Sequence, residues 1–292
     1  MDCMIRGINE TGGFRFFAVK STDLVEEARR HHNTSATASA ALGRTLTIGL
    51  MMGYMMKGDE DKLTVKINGG GPLGNILVTC NNHGEIKGYV DFPEVDVPRK
   101  ENGKLDVGAA VGTNGKITVI KDIGLKEPYV GSSDIVTGEI ANDLALYYFL
   151  SEQTSSAIAA GVLVNPDLSI KSSGGIIVQP LPDITEEEMK YLEELFANMK
   201  SVSSLFDTEA DIESIVKEIF KGVEIKITDE IPVKFKCDCS IERIEGVLIS
   251  LGREELEKLT EEDKKAEITC SFCSKKYQFT EEELRKILGK LK

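Results

Sequence analysis

Four cysteines lie near the C-terminal end in two tight pairs, Cys237/Cys239 in "KCDCSIERIEG" and Cys270/Cys273 in "TCSFCSKKYQF", with thirty residues between the pairs. Nothing else in the chain restricts its folding as strongly. The region that carries them, residues 231–292, is of a size at which a hydrophobic core is often insufficient without a metal or a covalent link. The compartment decides between the two. The first residues, MDCMIRGINETGG, lack the basic start, apolar run and small-residue cleavage site of a secretory leader, so the chain is expected in the reducing cytoplasm. Thiols there stay free to ligate. Two cysteine pairs on separate turns can close a tetrahedral Zn²⁺ site, the CxxC half being a common knuckle and the CxC half tighter than usual. We therefore expect Cys237, Cys239, Cys270 and Cys273 to hold one Zn²⁺ per chain, with a helix between the pairs and a last helix begun by the capping box Thr280–Glu283.

The spacing within each pair has a second consequence. Cysteines two or three residues apart can bring their Cα atoms into the window of about 4.4–6.8 Å that a disulfide accepts, so each pair can close on itself. A metal ties together halves far apart in sequence, whereas two local disulfides close tiny loops and restrain the unfolded chain very little. Structural zinc contributes about 10–16 kcal/mol in small peptides, more than a module of this size holds in reserve. Oxidation is thus expected to unfold the module and to release whatever leans on it.

The rest of the chain reads as α+β. Residues 1–182 alternate strand-like and helix-like stretches: "FRFFAVKS", a helix from Leu24 to His31, and a small-residue helix ending in "LMMGYMM". Apolar alternation at Leu63, Val65 and Ile67, then at Ile76, Val78 and Cys80, continued by "EIKGYV", predicts an antiparallel meander. Asn114-Gly115, between "AAV" and "KITVI", predicts a two-residue hairpin turn. A helix over 139–150 then precedes the strands "AIAAGVLV" and "GGIIVQPL". This is expected to be one N-terminal domain with a largely antiparallel sheet and packed helices. Residues 183–230 read as a helical linker. Thr185–Glu188 is a capping box, Met189, Leu192, Phe196 and Met199 share a face, and Ile212, Ile215, Val216, Ile219 and Phe220 form a stripe that Gly222 stops. Helices this short are marginal alone, so their apolar faces must dock, and the first domain is the expected surface. Residues 231–292 complete the chain as the small zinc-binding domain.

Other features narrow the function classes. A net charge of −13 and a pI near 4.9 argue against a general nucleic-acid surface and against membrane surfaces. The stretch Ala36–Met56, the most apolar, contains Arg44 and many hydroxyl residues, so it reads as a buried helix rather than a membrane span. "GGGPLG" at 69–74 matches the dinucleotide fingerprint, yet the strand pattern "NILVTC" follows where a helix start is needed, which makes it a glycine-rich hairpin. No phosphate-binding loop for ATP is visible. Cys80 is expected as a small buried thiol, Cys3 has no partner at metal spacing, and His31 and His32 read as a solvated helix end. Met51, Met52, Met55 and Met56 read as core filling, with an adaptable binding patch as the alternative.

The CxC and CxxC arrangement resembles the redox-regulated 33 kDa chaperonin family, heat shock protein 33. "TASAALGRTL", "KLTVKINGGGPLG", "VGTNGKITVIKDIGLKEP", "GEIANDLALYYFLSEQ" and "GGIIVQPLP" look like segments of that family in order, so the resemblance spans essentially the whole chain. It implies an ATP-independent holdase, not an enzyme, inactive while reduced and zinc-bound. On oxidation such a protein forms two disulfides, loses its metal, partly unfolds and binds unfolding client proteins, with homodimerisation on activation. Carried onto this sequence, the ligands are Cys237, Cys239, Cys270 and Cys273, and the oxidised pairs are Cys237–Cys239 and Cys270–Cys273. Two other classes stay open. A thiol–disulfide oxidoreductase would turn over in an insulin-reduction assay, and a zinc-ribbon nucleic-acid module would show salt-dependent binding through Lys275 and Lys276.

Overall fold

The computed structural model describes residues 1–208 and 210–291. Two compact units emerge, Met1–Lys236 and Cys237–Lys292.

The first unit runs β1 (Cys3–Asn9), β2 (Phe14–Lys20), α1 (Thr22–His32), α2 (Ala36–Tyr54), β3 (Lys62–Asn68), β4 (Ile76–Cys80) and β5 (Glu85–Val90). It continues through α3 (Val107–Val111), β6 (Lys116–Asp122), β7 (Tyr129–Asp134), α4 (Ile140–Ser151), β8 (Ala157–Val164) and β9 (Ile170–Pro180). Three helices follow, α5 (Glu186–Ala197), α6 (Val202–Leu205) and α7 (Ile212–Ile219), then β10 (Ile225–Pro232) and the two-residue β11 (Lys234–Phe235). The strands form two sheets, β10-β1-β2-β9-β8 and β11-β5-β4-β3-β6-β7. Every pairing is antiparallel except β11 with β5. The α+β expectation, with its antiparallel sheets and packed helices, is met.

Helix α2 is buried on nearly every face because it touches β8 and β9 of one sheet and β3, β4 and β5 of the other. Two of its buried hydroxyls bond back inside the helix, Thr45 donating to the Ala41 carbonyl at 2.9 Å and Thr47 to that of Gly43 at 2.7 Å, while Thr37 and Ser39 bond Asp96 and Thr34 outside it. Ser35 caps its start by accepting from the Ala38 amide. Arg44 spends its charge on Glu139 at 2.8 Å. Among the described residues no helix is long and apolar enough to cross a membrane.

Helix α1 is capped by a residue that precedes β1. Its N-cap, Ser21, makes no side-chain cap bond; instead Asp2 accepts from the Leu24 amide at 2.8 Å. Burial pushes the Asp2 carboxyl up to about 6 from an ordinary 3.8, against the pull of that amide. A carboxyl raised on folding favours the native state while protonated, so its contribution is full below pH 3.8 and is lost as pH rises through 6. Asp2→Asn keeps the acceptor without the charge. In urea titrations the wild type should lose about 1–3 kcal/mol relative to this variant between pH 4 and 7.

The glycines of "GGGPLG" join the antiparallel pair β3 and β4, as expected, because α3 lies against them. A Cβ on Gly69 would fall 2.1 Å from the Gly112 carbonyl oxygen, and one on Gly71 would fall 2.5 Å from that of Ala110. The hairpin expected at Asn114-Gly115 does not form. "AAV" belongs to helix α3, started by Asp106 accepting from the Ala109 amide, and Asn114 donates to Gly69 where β6 joins β3. Neither residue takes positive φ.

The three linker helices dock where expected, on the first sheet. Leu192 of α5, Phe206 after α6, and Ile212, Ile215, Val216, Ile219 and Phe220 on and after α7 form one buried cluster with strand residues that include Ile5, Phe14, Phe16, Ala18, Ile176 and Val178. Met199 lies beyond the end of α5 and packs at the margin. Strand β2 is consequently buried on both faces, with Phe14 and Phe16 under Phe220 at ring separations of 5.4 and 5.0 Å. Each such side chain contributes about 1.5–3 kcal/mol on burial, so a sheet face stripped of these helices is strongly apolar.

A polar clasp fastens the first of them. Glu188 completes the Thr185 capping box and also accepts from the Asn9 side chain at 2.6 Å and from the Thr11 hydroxyl, both beside the β1–β2 turn. The Thr11 hydrogen bond and those from Thr185 hold its carboxyl down at about 2 from an ordinary 4.5. The sign is opposite to that of Asp2: the clasp is fully formed above pH 4.5 and is lost as pH falls toward 2. Amide protection of α5, corrected for intrinsic exchange, should fall over that window in the wild type and stay flat in Glu188→Gln.

The second unit has α8 (Ile241–Ser250), α9 (Arg253–Lys258), a π-helical turn over Leu259–Asp263, the hairpin β12 (Lys265–Thr269) and β13 (Lys276–Thr280), and α10 (Glu281–Lys290). Thr280 and Glu283 form the expected capping box.

Candidate metal centre

Each cysteine pair sits on a turn shaped by its neighbours. Cys237 and Cys239 precede α8, whose N-cap Ser240 accepts from the Arg243 amide. Cys270 and Cys273 occupy the connection between β12 and β13. There the Cys270 amide donates to Lys275, the Ser274 amide donates to Cys270, and Ser274 takes a left-handed φ of 57°. Ile244, Leu248, Leu256, Tyr277, Phe279, Leu284 and Ile287 make the small core beneath.

The four sulfurs converge. Cys237 Sγ lies 3.7 Å from Cys270 Sγ, Cys239 Sγ lies 3.4 Å from Cys273 Sγ, and all four fall within 4.8 Å of one another. A Zn–S bond of about 2.3 Å gives a tetrahedron with edges of about 3.8 Å, so the cage has the size of a Cys₄ zinc site. Both of these contacts run between the pairs, which is how a metal would bridge them.

The surroundings suit thiolates. The Tyr277 hydroxyl donates to Cys239 Sγ at 3.1 Å. Burial drives the Cys237 and Cys273 thiols up. Burial pushes Cys239 up too, but hydrogen bonds from Tyr277 and from the Cys273, Cys237 and Cys270 thiols outweigh it and bring the group down to about 7. Donors aimed at sulfur stabilise negative charge there, as a ligand shell requires.

The remaining sequence candidates lie elsewhere. Cys80 is buried on β4, its thiol donating to the Gly49 carbonyl at 3.0 Å, and Cys3 is half-buried on β1. Met51 and Met52 fill core, while Met55 and Met56 are half-buried, Met55 accepting from the Tyr148 hydroxyl. His31 and His32 are half-buried rather than solvated, because α1 ends against the second sheet. His32 Nε2 is 3.0 Å from the Gly88 carbonyl oxygen, and the His31 ring is 5.2 Å from that of Phe235. Sequence reasoning missed Tyr277 and the Glu188 clasp. The alternation of Tyr277 and Phe279 in "KKYQF" was a usable signal for the first, since an inward phenol needs a partner. A contact across 179 residues left none for the second.

An α+β unit with helices docked on one of its sheets, together with a small unit that gathers four cysteines, defines a two-unit protein with a candidate metal site. A family model described as Hsp33 protein matches residues 2–280. The 33 kDa chaperonin of Clostridioides difficile is 47% identical over 290 residues, covering 99% of both chains, and that of Alkaliphilus metalliredigens is 46% identical over 288 residues with the same coverage. The crystal structure of the 33 kDa chaperonin (heat shock protein 33 homolog) of Thermotoga maritima superposes with a TM-score of 0.90 at 34% identity, covering 98% of this chain and 97% of that one. The chain belongs to the Hsp33 family of chaperones.

Proposed function

We propose that this protein is a redox-regulated, ATP-independent holdase of the cytoplasm, silent while its thiols hold Zn²⁺ and active once they are oxidised. The observation that carries the reading is the four-thiol cage, in which every sulfur has a sequence neighbour able to form a disulfide with it. Cys237, Cys239, Cys270 and Cys273 would hold the ion, which supplies a cross-link and no chemistry of its own. Oxidation pairs Cys237 with Cys239 and Cys270 with Cys273, leaving no thiolate to ligate it. Residues 231–292 act as the switch, 183–230 as the metastable linker, and 1–182 as the client-binding and dimerising body. Strand β10, which ends at Pro232, pairs with β1 and so ties the last linker residues to that body.

The linker covers the apolar face of the first sheet, so its release uncovers Phe14, Phe16, Ile176 and Val178 for unfolding clients. Neither catalysis, nucleic-acid binding nor membrane binding belongs to this reading. In a zinc-release assay run beside aggregation of a thermally unfolding client, the reduced protein should hold one Zn²⁺ per chain and suppress little. Peroxide with mild heat should free the metal and switch suppression on, with dimers forming. Zinc release without any change in client light scattering would sink the switch.

A further inference from the structure

Among the described residues, one sulfur of the cage receives a hydrogen bond from a side chain outside it. Tyr277 lies on β13 opposite Ile268 of β12, its ring buried among Ile244, Leu248 and Phe279, and its hydroxyl donates to Cys239 Sγ at 3.1 Å. Lys275 Nζ stands 5.1 Å from the ring centroid, where its charge draws on the π system and strengthens the phenol as a donor.

Resting on the zinc-switch reading, we propose that Tyr277 is a positioning residue that sets the oxidant threshold: its hydroxyl holds Cys239 in the ligand geometry and draws electron density from the sulfur. The redox step shows where this acts. A cysteine thiolate attacks one oxygen of hydrogen peroxide, breaking the O–O bond to give a sulfenic acid and hydroxide. The neighbouring thiolate then attacks the sulfenic sulfur and expels a second hydroxide, so two thiolates supply the two electrons that reduce one peroxide. Both attacks slow as the nucleophile loses electron density. The hydroxyl of Tyr277 therefore protects the Cys237/Cys239 pair, whose other side-chain hydrogen bonds, among the described residues, stay within the four-thiol cage.

The test uses the full chain as wild type and Tyr277→Phe, each reduced and loaded with Zn²⁺ or Co²⁺. Competition with a chromophoric chelator should show unchanged 1:1 stoichiometry and an affinity about 10–100-fold weaker in the variant, the usual loss for an outer-shell partner. Zinc release by peroxide should quicken about tenfold at equal temperature, following the loss of the donor. The sulfur-to-cobalt charge-transfer band should move to lower energy, a shift that a merely structural role of the ring would not produce. Lys275→Met, which spares the phenol and its packing, should move all three readouts the same way by less, and it carries the test if Tyr277→Phe fails to fold. Identical affinity, release rate and band position in wild type and variants would overturn the assignment while leaving the switch intact. A wild type that binds no metal, or keeps it under peroxide, would overturn both.

Discussion

Gly174→Ala should make this protein suppress client aggregation in reducing buffer with its zinc still bound. Gly174 lies on β9 in ordinary extended backbone, so alanine is conformationally acceptable there, but the added Cβ would sit 2.4 Å from two ring carbons of Phe206. Phe206 is 1% exposed and locked into the linker cluster, so the ring cannot swing into solvent without giving up its burial. Overpacking of this kind costs about 1–3 kcal/mol. The linker consists of helices too short to stand alone, so the cost falls on docking and shifts the docked-to-released ratio by roughly 5- to 150-fold.

Gly175→Ala, one residue along, is the control. Its Cβ points the other way, 2.8 Å from the Thr47 methyl of α2, so it should lower the stability of the body without freeing the linker. Hydrogen exchange over 186–220 and client light scattering, both under reductant, decide the matter. If Gly174→Ala exchanges like the wild type in α7, steric docking at Phe206 is not what holds the linker. If α7 opens and clients still aggregate, the covered sheet face is not the client surface.

Removing the metal from reduced protein should unfold residues 237–291 and leave the body folded. The second compact unit is small, and among the described residues its hydrophobic core rests on eight buried side chains, one of them Cys270 itself. Cores of this size supply no more than about 3–5 kcal/mol, against about 10–16 kcal/mol from a structural zinc ion. A strong chelator in the presence of reductant should therefore abolish amide protection in β12, β13 and α10, while β3, β4 and β6 keep theirs. Protection should return when Zn²⁺ is restored. Persistence of native protection in α10 after complete chelation would show that Leu284, Ile287 and Phe279 suffice without the ion. The outcome also bears on the switch, since oxidation can unfold only a module that its metal holds together.

Much of this was legible in one dimension. The meander from Leu63 to Val90 announces itself because its sheet is covered on one face, and a period of two then marks which face. The stripe on α7 and both capping boxes were equally readable, because helix geometry brings residues three and four apart together whatever surrounds them. The failed hairpin at Asn114-Gly115 shows the limit. Its dipeptide was right for a turn, but Asp106 and the glycines of the neighbouring loop had already committed the preceding residues to α3. The imidazoles of α1 were misjudged for a related reason: a helix end looks solvated until β5 and β11 arrive beside it.

The sequence by itself determined which residues could form the site. Ligand chemistry and the spacing within each cysteine pair are local properties, so four thiols at CxC and CxxC intervals state both what could bind and which pairs could oxidise. Only the tertiary structure decided that all four sulfurs meet within 4.8 Å, that the phenol of Tyr277 reaches one of them, and that Glu188 and Phe206 seat the linker on the first sheet. Those contacts join residues as many as 179 positions apart. Their geometry comes from strand register and helix docking, which depend on the burial of the whole core and leave no periodic trace at the residues themselves.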